Sequence, residues 1–235
     1  MGFWQVTMKR STQLSKSYVI IGAFLTVYGV VLSNLMTIIP SVITSDVTPA
    51  PIDLASSFPL LSIALLSMAA VLFALPVIML FVYDKNNGVL EYLLSTGLDQ
   101  LDIFKGYVKA SLVLATYLLV FAVILNTVVG VMLGTSLTLL ASIAILTFAI
   151  GISEVFLVSV CMVAFSSLQR TPMGANQPLG VIIGVVPMFP ALILPLAFPA
   201  YAMVVDLSIA AVTLLASLAL LLSTGRLIRR EKLLP

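Results

Sequence analysis

Charge is what this chain has least of. Only 9% of its 235 residues are charged, while 61% are apolar; a soluble domain is about a quarter charged and roughly half apolar. Eleven basic and nine acidic side chains cannot clothe a water-exposed globule of this length, which excludes an aqueous enzyme and points to lipid. Histidine is absent, so the usual ligand of zinc and of a membrane haem is missing. The single cysteine, Cys161, lies inside an apolar run and can form no intramolecular bridge. No G-x-x-x-x-G-K-[ST] loop occurs, so the chain brings no phosphate-binding loop of its own. A net charge of +2 gives no basis for a nucleic-acid partner.

What the chain has is long apolar runs. A membrane helix needs about 20 mostly apolar residues at a rise of about 1.5 Å each. Six stretches meet that length, at about 18-39, 59-83, 107-133, 137-168, 178-198 and 203-225. The expected fold is therefore an all-α polytopic membrane protein, a single transmembrane domain over 1-235. In a six-span arrangement Lys9, Arg10, Lys16, Lys85, Lys105, Lys109, Arg170, Arg226, Arg229, Arg230 and Lys232 all fall on one side. The opposite segments, 40-58, 134-136 and 199-202, carry no basic residue. By the positive-inside rule both termini, including the tail 226-235, are expected in the cytoplasm, in a multi-pass protein of the cell membrane. The first run is too long for a signal peptide and no A-x-A pattern closes it, so it reads as a retained helix.

Ahead of that run, residues 1-17 place Phe3, Trp4, Met8 and Leu14 on one side of a helix, with Lys9 and Lys16 opposite. The pattern fits an interfacial helix with Trp4 at headgroup depth; Arg10 falls at its edge, and a flexible leader is the competing reading. Between the second and third spans, the loop 84-106 is long enough to hold structure. Residues 84-88 read as a stop and turn. Val89, Leu90, Leu93 and Leu94 then form an apolar stripe on a short helix, which "STG" ends at Gly97. Asp99 can cap the next helix, with Asp102 in its first turn, and that helix runs straight into span three. The stripe must be covered by the bilayer, by the chain's own bundle, or by a soluble partner that Asp84, Glu91, Asp99 and Asp102 would meet at its margin.

In this loop the sequence resembles the integral membrane subunits of ATP-binding-cassette exporters, the type-2 permease family. The likeness rests on G-x-L-E-x-L-L, here Gly88, Leu90, Glu91, Leu93 and Leu94, on the polar break from Ser95 to Gly97, and on Gly106 at the entry to span three. Position 107 is Tyr where that pattern often has Lys, and the break has Gly97 where Pro is frequent. The resemblance implies a permease subunit that forms the substrate route, with a coupling helix between spans two and three docking on a separate ATPase. It further implies two ATPase copies, a second permease, identical or homologous, and ATP with Mg bound by the ATPase, no cofactor being held by this chain. Asp84, Gly88, Leu90, Glu91, Leu93, Leu94, Asp99 and Asp102 are the expected coupling interface. A secondary transporter and a non-transporting membrane anchor or assembly subunit are the competing functions.

Inside the apolar runs, Glu154 sits near the middle of span four, where a carboxylate is expensive and seldom faces lipid. It serves either polar packing or a substrate route or gate, and Asn126 in span three is a weaker case of the same kind. Asp206 reads as lying near the end of span six, so Glu154 appears as a lone deep acid. Gly130 to Gly134 and Gly180 to Gly184 are small-xxx-small patterns that serve either packing within the chain or a dimer contact. Pro178, Pro187, Pro190, Pro195 and Pro199 crowd span five and its exit, which argues for broken backbone there.

Overall fold

The computed structural model describes residues 2–14, 16–43, 54–165, 188–198 and 201–227. Among these the chain is entirely helical: α1 (Phe3–Leu14), α2 (Lys16–Ile43), α3 (Leu54–Asn86), α4 (Val89–Ser95), α5 (Gln100–Met132), α6 (Leu137–Phe165), α7 (Met188–Ala197) and α8 (Ala202–Leu227). Five of them contain segments long and apolar enough to cross a membrane: Lys16–Leu35, Leu60–Asn86, Gln100–Met132, Leu137–Cys161 and Ala202–Ser223. The expected fifth span, 178-198, is not among them. Most of it lies outside the described residues, and its described end is the ten-residue α7, which carries Pro195 inside it. Gly180 to Gly184 and most of the proline cluster also lie outside.

The centre of the bundle is α3, which packs against all seven other described helices. Its sequence permits this: Ala69, Ala70 and Ala74 are fully buried and Ser67 nearly so, and small side chains let neighbouring backbones approach where lipid gives no hydrophobic drive for association. Against α6, Leu60 and Ile63 meet Ile143, Leu146 and Ile150, while Ala70 to Ile78 meet Val155 and Val158. The contacts advance in the same sense along both helices, so α3 and α6 run parallel. On α8, Ala202 and Ala210 join the Ile143 cluster, and the Ser217 hydroxyl donates to the Ser153 carbonyl at 3.1 Å. So α8 is parallel to both.

Polar bonds fix the remaining registers. Asn34 of α2 donates to the Asn126 side-chain oxygen of α5 at 3.1 Å, and the Ser111 and Ser159 hydroxyls of α5 and α6 meet at 3.1 Å. Each such bond contributes on the order of 0.6 kcal/mol in a bilayer. Gly130 is used within the chain: Leu140 of α6 occupies the space its side chain would fill, at 2.6 Å from an ideal Cβ.

Candidate functional site

Helix α4 begins where the sequence placed it. Gly88 adopts φ 71 and Gly97 φ 87, left-handed conformations that suit glycine and that bracket the seven-residue helix. Asp99 occupies the N-cap position of α5 with extended backbone, yet its side chain makes no capping hydrogen bond. The expected cap is therefore positional only, and Asp102 follows it exposed in the first turn.

The apolar stripe of α4 is covered by the chain's own bundle. Leu90 is 0% exposed and Leu94 9%; both join Phe81, Ile103, Phe104 and Tyr107 in one cluster, with Leu93 packed partly against it. Gly88 and Val89 are half-buried. The face left outward carries Glu91 and Tyr92, the latter 68% exposed, and continues through Ser95, Thr96, Leu98 and Asp99.

Asp84, expected at the margin of that face, is instead the centre of an internal lock. Its carboxylate is fully buried and accepts two bonds from the Arg10 guanidinium, Nη1 to Oδ2 at 3.1 Å and Nη2 to Oδ1 at 2.9 Å. The Tyr107 hydroxyl donates to Oδ2 at 2.6 Å. This fork geometry is the strong form of the ion pair. It is also the reason that α1 lies on protein: Phe3, Trp4 and Met8 pack on the cluster that holds Leu90. Phe3 and Phe81 both meet the Tyr107 ring edge-on, at 5.6 and 5.2 Å between centroids. Phe3 fills the space over Gly106, where any side chain would collide with its ring. The Lys109 ammonium stands 5.1 Å from the Trp4 ring centre, a cation–π contact. Thus Gly106 and Tyr107 both serve the docking of α1.

Two further acids lie deep in the bundle. Glu154 is 1% exposed and Asp206 0%, and none of their carboxyl oxygens has a hydrogen-bond partner. The Ser67 hydroxyl lies beside Glu154 but donates to the Ala64 carbonyl at 3.1 Å. Asp206 shares the inward face of α8 with Ala202, Ala210 and Thr213; it stands one turn from the start of α8, near the end of the span as expected, but is buried there. Asn126, the other candidate for a route, is buried and accepts its bond from Asn34. Asn34 and Arg10 were missed as partners. Their signal was a polar side chain in one apolar or amphipathic segment that could answer another in a distant segment.

Among the described residues no group of His, Cys, Asp or Glu is arranged to hold a metal ion. Comparison with protein-family models, with curated proteins and with solved structures returns no match. The architecture defines the class on its own: an all-α, multi-pass membrane protein with a locked polar assembly at one end of its bundle.

Proposed function

We propose that this chain is the permease subunit of an ATP-driven exporter, coupled to a separate ATPase through the α4 end of the bundle. The observation that carries the reading is the platform at that end. Helix α1 and the start of α5 are clamped to the end of α3 by Arg10, Asp84 and Tyr107, and α4 packs on the same end through Leu90 and Leu94, which leaves Glu91, Tyr92, Leu98, Asp99 and Asp102 projecting. A force applied to α4 passes through Leu90 and Leu94 into α3, and α3 touches every other described helix. Tyr92 beside Glu91 offers an aromatic anchor with a charged neighbour, the kind of pair that dominates protein interfaces.

In this reading the platform and both termini face the cytoplasm, two ATPase copies bind ATP and Mg, and a second permease, identical or homologous, completes the substrate route. The chain itself performs no nucleotide chemistry. The test is purification of the tagged chain from its native membranes in mild detergent, with ATP hydrolysis measured in the eluate. ATPase activity is expected to co-purify with the wild type and to fall about tenfold or more in Glu91→Ala/Tyr92→Ala at matched yield, the scale of an interface anchor. A wild-type chain that recovers no ATP-hydrolysing subunit would sink the reading.

A further inference from the structure

Glu154 and Thr147 on α6 and Asp206 on α8 are buried polar side chains whose oxygens have no hydrogen-bond partner. Near the Arg10 end, Tyr107 reaches from Asp84 toward a small cavity, about the size of one water, bordered by Phe81, Val108, Ser111 and Ser159. The Ser111 and Ser159 hydroxyls touch at 3.1 Å. Glu154 lies on α6 about 7.5 Å beyond Ser159 at the helical rise and about 140° around the helix from it, with Ser67 of α3 beside it. About 10 Å further along α6 comes Thr147, fully buried with an unpartnered hydroxyl. That is unusual here: Thr26, Ser67, Ser111, Ser153, Ser159 and Thr213 each return their hydroxyl to a carbonyl of their own helix. Asp206 follows on α8, about 16 Å before the Ser217 contact that sets the α6 register.

We propose that Glu154, buried beside Ser67 with no described cation within reach, is an exchangeable proton-binding site in the core of the bundle. The ligand is the proton itself. An ionised Glu154 with no cation would carry a desolvation cost of several kcal/mol. As the neutral acid it can donate its O–H to the Ser67 oxygen. No described cation offers an alternative: Lys85 stands about 27 Å further along α3, and Lys105 and Lys109 lie at that same end of α5. On the elements packed around Glu154 the other acids are Asp206 on α8, the engaged Asp84 on α3 and the exposed Asp102 in the first turn of α5; α5 also presents Tyr107 and α6 Cys161. In each event one proton from water joins a Glu154 oxygen or leaves it, and the charge of the core changes by one. Intramembrane acids in such settings serve proton relays in other membrane proteins. The inference does not rest on the permease reading, since a proton site is compatible with any transporting or sensing role.

The test uses the full-length chain in lipid nanodiscs and infrared spectroscopy. Wild type minus Glu154→Gln should show the C=O band of a protonated carboxylic acid at neutral pH, and the band should shift on transfer to heavy water. Dicyclohexylcarbodiimide, which adds to protonated buried carboxyl groups, should modify Glu154 in the wild-type chain at neutral pH. That arm needs no variant. Absence of both band and adduct shows an ionised Glu154 and overturns the site. A band that does not shift in heavy water shows a static acid and also overturns it.

Discussion

Removing the Arg10 side chain should release α1 from the bundle. Arg10→Ala deletes two charge-assisted bonds of 2.9 and 3.1 Å and leaves Asp84, whose side chain is 0% exposed, with only the Tyr107 hydroxyl. Bonds to charged groups are worth about 1.5–3 kcal/mol each, but Arg10 is itself 42% exposed, so water replaces part of what it loses. A net cost of about 2–3 kcal/mol is reasonable, which shifts the docking equilibrium about 30- to 150-fold. Trp4, the single tryptophan, sits on α1 against Lys109 and reports docking directly. In nanodiscs its emission should move to the red and its quenching by acrylamide should rise in Arg10→Ala. The two ends of the bond are not equivalent. Asp84→Asn removes the buried charge and leaves an arginine that can hydrate, so it should perturb Trp4 less than Arg10→Ala does, and the double variant should resemble Asp84→Asn. Unchanged Trp4 emission in Arg10→Ala, or a double variant as perturbed as the sum of the singles, would refute the lock.

Leu90→Ala should destabilise the bundle by about 2–5 kcal/mol, because Leu90 is fully buried, whereas Tyr92→Ala should stay within about 0.5 kcal/mol; thermal denaturation followed by size-exclusion recovery separates them. Gly106→Val should displace Phe3 and reproduce the Trp4 red shift of Arg10→Ala without touching the ion pair. Cysteines placed at Ser95 and Ser136, both exposed, in a Cys161→Ala background should be labelled from opposite faces of sealed vesicles, since α5 between them is about 50 Å long. Labelling of both from one face would rule out a membrane crossing by α5.

Much of this was legible in the residues. Apolar length alone marks α2, α3, α5, α6 and α8, and the glycines at 88 and 97 bound α4 because a turn there needs left-handed backbone. Partners were not legible. An amphipathic stripe says that Leu90 and Leu94 must be covered, but α1 and the ends of α3 and α5 arrive at that stripe from elsewhere in the chain. Arg10 and Asp84 are 74 positions apart, as Asn34 and Asn126 are 92 apart, and no local period records such pairing. Asp206 looked marginal because it stands near the start of its apolar run; its burial follows from α6 extending alongside it, a fact of assembly rather than of sequence.

The position of α3 has a consequence for how the protein is made. It is synthesised before α5, α6, α7 and α8, all of which pack on it, so its inward serines and alanines meet lipid first and protein later. The three parallel helices α3, α6 and α8 enter the membrane at separate moments, and the seam between them closes only with the last. Until then the face of α6 that holds Thr147 and Glu154 lacks its α8 wall. A ribosome stalled ahead of Ala202 would therefore display a half-built helix array whose Glu154 face on α6 still lacks the α8 side of its wall.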